Sequence, residues 1–162
     1  MADRVLLIGY GNPGRLDDGL GPACAEAVAG CGLPNVAVDA AYQLTVEDAA
    51  EVARHDVVIF ADASVSGEGP FAFERVTPVE EIGFSSHALE PAAVMALARS
   101  LFGAVTRGFA LAIRGYEFNE FGERLSPRAQ ANLAAAVAFV AGVIRSGACG
   151  HAATVGPALK CE

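Results

Sequence analysis

Val5-Leu6-Leu7-Ile8-Gly9-Tyr10-Gly11-Asn12-Pro13-Gly14-Arg15-Leu16-Asp17-Asp18-Gly19-Leu20-Gly21 is the stretch on which the reading of the whole chain turns. Its apolar opening has the form of a strand buried on both faces. The run empties into a glycine-rich bend, and the bend delivers two adjacent carboxylates to the first turn of a helix. A strand, a tight bend and a helix in that order begin an α/β unit, and the bend is where such units gather ligands.

Working outward, residues 19–29 read as an apolar helix stopped by Gly30 and Gly32, and residues 36–40 as a second strand. Thr45-Val46-Glu47-Asp48 has the form of a capping box opening a helix that runs to about Arg54. Residues 56–61 are a third buried strand with Asp62 at its carboxyl end. Residues 71–76 alternate apolar and polar between Pro70 and Pro78, the pattern of a strand exposed at a sheet edge. Pro91, after Glu90, suits the first turn of a helix reaching Phe102. Residues 108–113 form a last strand ending at Arg114, and Ser126-Pro127 starts a long alanine-rich helix to about Arg145. This alternation predicts a three-layer α/β/α domain around a mostly parallel, twisted, five-stranded sheet. The domain spans residues 1–145. Residues 146–162, glycine-containing and without periodicity, are expected to be a flexible tail.

At 162 residues, 53% of them hydrophobic, the chain can bury one core, and its formal charge of −8 disfavours nucleic acid and anionic membranes as partners. No uncharged stretch reaches the roughly 20 residues of a membrane span, and the short N-terminal apolar run predicts no secretory leader. Cys24, Cys31, Cys149 and Cys161 lack CxxC spacing, so reduced thiols in a cytoplasmic protein are expected.

In such a sheet, chemistry collects at the carboxyl ends of the strands. Asp17 and Asp18 follow the first strand, Asp62 ends the third, and His87 precedes a helix that starts on the same edge. For Asp18 and Asp62 to meet, the first and third strands must be neighbours. With the exposed fourth strand as an antiparallel edge, the expected order is 2-1-3-5-4.

Two carboxylates about 4 Å apart repel by about 4 kcal/mol at an effective dielectric of 20, so a site that brings them together needs a shared proton or a cation. An imidazole beside them favours a cation. Two oxygens and one nitrogen suit zinc, nickel, iron or manganese with positions left open. Each residue also has a structural use: Asp17 or Asp18 as a helix cap, Asp62 in an Asx-turn, His87 as a hydrogen-bonded loop residue. Gly9-x-Gly11-x-x-Gly14 with Asp39 about 25 residues on also satisfies the letter of a dinucleotide fingerprint. The extended bend and the Asp17-Asp18 pair would set two negative charges against a pyrophosphate, which argues against it.

Taken together, Gly9-x-Gly11-Asn12, Asp17-Asp18-Gly19-x-Gly21, Ile59-Phe60-Ala61-Asp62-Ala63 and Ser86-His87 before a helix resemble the hydrogenase maturation endopeptidases, which process the large subunit of nickel–iron hydrogenases. The resemblance spans residues 4–145. It implies a phosphorylase/hydrolase-like form of the fold and a monomeric cytoplasmic endopeptidase. The reaction it implies removes the C-terminal extension of a hydrogenase large-subunit precursor after nickel insertion. Asp18, Asp62 and His87 then correspond to the family's metal ligands and catalytic residues. The metal is implied to be the substrate's own nickel, with zinc or another divalent ion able to take its place in vitro. Asp18 departs from members that carry Glu there, which shortens that ligand by one methylene.

The implied chemistry is Lewis-acid assistance to peptide hydrolysis. The sequence shows no Ser-His-Asp or Cys-His arrangement and no His-Glu-x-x-His helix. Two alternatives remain open: a non-catalytic nickel checkpoint or chaperone with the same ligands, and a peptidyl-tRNA hydrolase, whose opening Gly11-Asn12-Pro13-Gly14 also resembles. The latter family has a catalytic histidine where Asp17-Asp18-Gly19 stands here.

Secondary candidates for substrate contact are Asp17, Asp39, Tyr42, Gln43, Tyr116 and Phe118. The last two belong to Gly115-Tyr116-Glu117-Phe118-Asn119-Glu120-Phe121, whose rings would serve equally to cover the sheet edge. Arg114 suits an ion pair, and Cys149-Gly150-His151 makes a poor soft-metal site on a tail.

Overall fold

The computed structural model describes residues 2–79, 89–147 and 154–155, the last two by backbone alone. His87, Cys149, His151 and Cys161 therefore lie outside the described residues.

The chain runs β1 (Val5–Tyr10), α1 (Leu20–Gly30), β2 (Val36–Ala41), α2 (Asp48–Ala53), β3 (Val57–Ser64), β4 (Phe71–Val76), α3 (Pro91–Phe102), β5 (Arg107–Arg114), α4 (Pro127–Ser146) and β6 (Thr154–Val155). β1 pairs in parallel with both β2 and β3, β3 in parallel with β5, and β4 antiparallel with β5. The order 2-1-3-5-4 is the expected one, and β6 extends it beyond β4. Thr154 and Val155 pair with Glu74 and Phe73, so β4 is not the outermost strand along that stretch. Two residues without periodicity carry no strand signal of their own; the open edge of β4 supplies the template.

Helices cover both faces. On one, α1 and α4 pack over Leu7, Ile59, Phe73, Phe109 and Leu111, with Phe139 of α4 5.3 Å from the Phe73 ring. On the other, α2 and α3 pack over Leu6, Ile8, Val58 and Phe60. The central strands are buried on both faces, which is why β1 and the start of β3 are unbroken apolar runs. Among the described residues only α4 is long and apolar enough to cross a membrane, and its Ala129, Ala136, Phe139, Val140 and Ala141 are buried against the sheet.

Local signals place the helix ends. Ser126 caps α4 by accepting from the Ala129 N–H at 3.3 Å, Pro127 takes the first turn, and Gly147 closes the helix in the left-handed region. At α2 the capping box is half formed: the Thr45 N–H donates to Asp48 Oδ2 at 2.7 Å, but the Thr45 hydroxyl turns to the same oxygen rather than to the backbone. Two boundaries differ from expectation and matter for the site. β3 continues to Ser64, so Asp62 sits inside the strand opposite Ala112. α1 starts at Leu20, because Leu16–Gly19 wind into a 3-10 turn first.

Candidate active site at the carboxyl edge of the sheet

The bend is built by close approach. A Cβ on Gly21 would stand 2.6 Å from the Ala61 carbonyl oxygen and nearer still to that of Tyr10, so α1 lies directly on β1 and β3 only because the residue is glycine. Gly11, at φ +141°, turns the chain out of β1 while its N–H donates to the Ala41 carbonyl at 3.0 Å. Asn12 then organises the loop: its Oδ1 accepts from the Gly14 N–H at 2.9 Å, and its own N–H donates to Asp18 Oδ2 at 2.8 Å.

The 3-10 turn sends the two neighbouring carboxylates in different directions. Asp18 is half-buried at the rim, held by Asn12. Asp17, expected as a substrate contact, is fully buried and engaged by the protein. Its Oδ1 accepts from the Ser126 N–H at 2.7 Å. Its Oδ2 accepts from the Ser126 hydroxyl at 2.7 Å and from the N–H groups of Tyr116 and Glu117 at 2.8 and 3.0 Å. That leaves it no face toward a substrate, and it does not cap the first helix as expected: the N-cap of α1 is Gly19, with no side-chain cap. Burial opposes its ionisation, but the bonds from Ser126, Tyr116 and Glu117 outweigh burial and hold its carboxyl below the usual range.

Asp62 projects from β3 on the α2–α3 side, half-buried, with Oδ1 accepting from the Ala63 N–H at 2.8 Å. Burial pushes its carboxyl up to about 6; the Ala63 and Tyr10 hydrogen bonds pull downward, while the charges of Asp18 and Glu90 push upward. The charge of Asp18, at the end of the bend that follows β1, thus reaches Asp62 on the neighbouring strand. Tyr10 lies beside Asp62 across the β1–β3 pair, one step past the Gly9–Ala61 register. Burial, then Asp62, then Glu90, raise its hydroxyl well above the ordinary phenol range. Tyr10, Asp62 and Glu90 line one cavity of about 420 Å³ together with Glu74, Thr77 and Ala110. Tyr10 and Glu90 escaped the reading of the sequence; the signal for Tyr10 was its place at the end of the strand adjacent to Asp62.

Among the described residues no three His, Cys, Asp or Glu side chains are arranged to hold a metal ion. Asp18 and Asp62 are two carboxylate donors on adjacent strand ends, and a divalent cation held between them would relieve their repulsion and would require further ligands.

The secondary candidates separate by exposure. Tyr42 is 72% exposed, Gln43 is exposed, and Asp39 is exposed with Oδ1 accepting from the Ala40 N–H at 3.0 Å. Tyr116 and Phe118 are both half-buried. Tyr116 lies between the guanidinium groups of Arg114 and Arg128, at 4.6 and 4.1 Å from its ring centre, and its hydroxyl accepts from Asn132. Arg114, expected in an ion pair, stacks on this ring and donates to the Gly115 carbonyl instead. Phe121 is the ring of that loop that stands out, 87% exposed.

No family model matches the chain, and no curated protein matches it. Solved structures do. The [NiFe] hydrogenase maturation protease HycI from Thermococcus kodakarensis KOD1 superposes with a TM-score of 0.69 at 21% identity, over 88% of this chain and 92% of that one. The hydrogenase maturating endopeptidase HybD from E. coli gives 0.69 at 22% identity, over 94% and 97%. A hydrogenase 2 maturation peptidase from a Thaumarchaeota archaeon gives 0.65 at 22%, over 88% and 98%. At these identities the likeness is one of fold, and the fold is the one that the sequence resemblance implies.

Proposed function

We propose that this protein is a cytoplasmic endopeptidase that removes the C-terminal extension from the large-subunit precursor of a nickel–iron hydrogenase. The observation that carries the reading is the placement of Asp18 and Asp62 at the carboxyl ends of the adjacent strands β1 and β3, with the Asp18 charge acting on Asp62, in a fold shared with hydrogenase maturation peptidases. His87 is the proposed third ligand; Glu90, three residues on in the chain, already acts on Asp62. The nickel is substrate, carried in by the precursor, and when held by these residues it would supply Lewis-acid polarisation of the scissile carbonyl. Asn12 fixes Asp18 in place for that contact, and the Tyr10 hydroxyl, kept protonated, donates a hydrogen bond toward Asp62.

The test is to mix the protein with nickel-loaded and nickel-free precursor and measure release of the C-terminal peptide by mass spectrometry. Release from the loaded precursor alone is expected, with Asp18→Asn and His87→Ala losing at least about 100-fold in rate while keeping the parent's circular dichroism. Binding of loaded precursor without release would instead identify a nickel checkpoint, and hydrolysis of peptidyl-tRNA would overturn both.

A further inference from the structure

β2 is the outermost strand on its side of the sheet among the described residues. The Val5 N–H donates to the Asn35 carbonyl at 2.9 Å and the Gly11 N–H to that of Ala41 at 3.0 Å. In a parallel ladder the pairing alternates, so residues 35, 37, 39 and 41 turn their backbone groups to β1, and Val36, Val38 and Ala40 turn theirs outward. The Ala40 N–H is taken by Asp39 Oδ1, which leaves Val36 and Val38 as the open donors.

Beside this edge runs a groove of about 630 Å³ with an apolar floor that includes Leu16, Pro22, Val38 and Leu125. Its charged lining is Glu26, Asp39 and Glu123 against Arg124, and none of the three acids is in an ion pair among the described residues. Pro13 and Gly19, which belong to the bend carrying Asp18, also line the groove. An open strand edge, an apolar trough and unpaired acids thus adjoin the bend that carries Asp18.

We infer that this edge and groove are the docking track for the precursor's extended C-terminal segment, which joins the sheet as a further strand outside β2 and sets a basic side chain against Glu26 and Glu123. The inference rests on the endopeptidase reading. An extended terminal segment fits because its backbone groups are unpaired and can match those of Val36 and Val38, while alternate side chains enter the groove. Its basic character follows from three acids facing one base.

The probe is a synthetic peptide of about 30 residues spanning the C-terminal extension of a nickel–iron hydrogenase large-subunit precursor, added to the full chain. Amide exchange at Val36 and Val38 should slow at least about tenfold, and at Ala37, already in the ladder, stay unchanged. N-methylation of every second peptide amide should abolish this protection in one phase and spare it in the other. Glu26→Lys with Glu123→Lys should raise KM for the nickel-loaded precursor about tenfold with kcat little changed. If the precursor is cleaved while Val36 and Val38 exchange as before and KM is unmoved by charge reversal, the track is overturned and the endopeptidase reading stands. If the peptide protects β2 but no precursor is cleaved, the track stands and the endopeptidase reading fails. Protection of Val36 and Val38 without peptide, from a second copy or from this chain's own residues, overturns the track.

Discussion

Asp17 and Asp18 are neighbours in sequence with opposite environments, because a 3-10 turn rotates successive side chains by about 120°. Asp17 satisfies three backbone N–H groups and one hydroxyl, so Asp17→Ala leaves four donors without their acceptor. The expected loss is on the order of 3–5 kcal/mol, read from the urea midpoint. Its lowered folded pKa means that its stabilisation is present above the unfolded carboxyl value near 4 and disappears as pH falls through the folded one. Asp17→Asn should therefore flatten the acid-unfolding curve. Asp62 has the reverse sign. Its folded value of about 6 lies above the unfolded one, so the folded state holds the proton more tightly, and stability of the metal-free protein declines as pH rises from about 4 to 6. Metal-free Asp62→Asn should be more stable than the parent at pH 7.5, by on the order of 1–2 kcal/mol, with the gap closing toward pH 4. Calorimetry at the two pH values checks this; an equal gap at both would remove the ionisation as its cause.

At the scale of elements, the unit that matters is β1, the bend and α1. The helix is seated so closely on the strands that Gly21→Ala would drive a methyl into two carbonyl oxygens. It should cost at least about 3 kcal/mol and, by lifting α1, weaken cleavage even in molecules that remain folded, which a thermal melt and the precursor assay measure together. Elements with local signals were legible from the sequence. β4 lies between two prolines, and α3 and α4 open on Glu90-Pro91 and Ser126-Pro127; all three run where the pattern puts them. The adjacency of β1 and β3 was legible too, because strand order follows from where carboxyl ends must converge. Asp17 was not, since its partners stand 99 to 109 residues away and nothing near it in sequence marks them. Tyr10 and Glu90 depend on register and on which residue heads α3, and hydrophobic periodicity reports neither.

For the molecule as a whole, the sheet separates two tasks. Its interior strands hold two cores together, and its carboxyl edge gathers the bend, Asp62 and the exposed Tyr42, Val65 and Phe121 on one side. The formal charge of −8 is spread over a surface whose ion pairs, among the described residues, are few and solvent-facing, so they contribute little to stability. The bond from Ser126 to Asp17 also sets a schedule. It joins positions 109 residues apart, and at a synthesis rate of about 5–20 residues per second the later partner appears roughly 5–20 s after the earlier one. The residues that build the bend are made well before Ser126, yet the clasp that fixes them cannot close until Ser126 has left the ribosome. A nascent chain is therefore without its assembled site throughout that interval, and competence waits on the later partner.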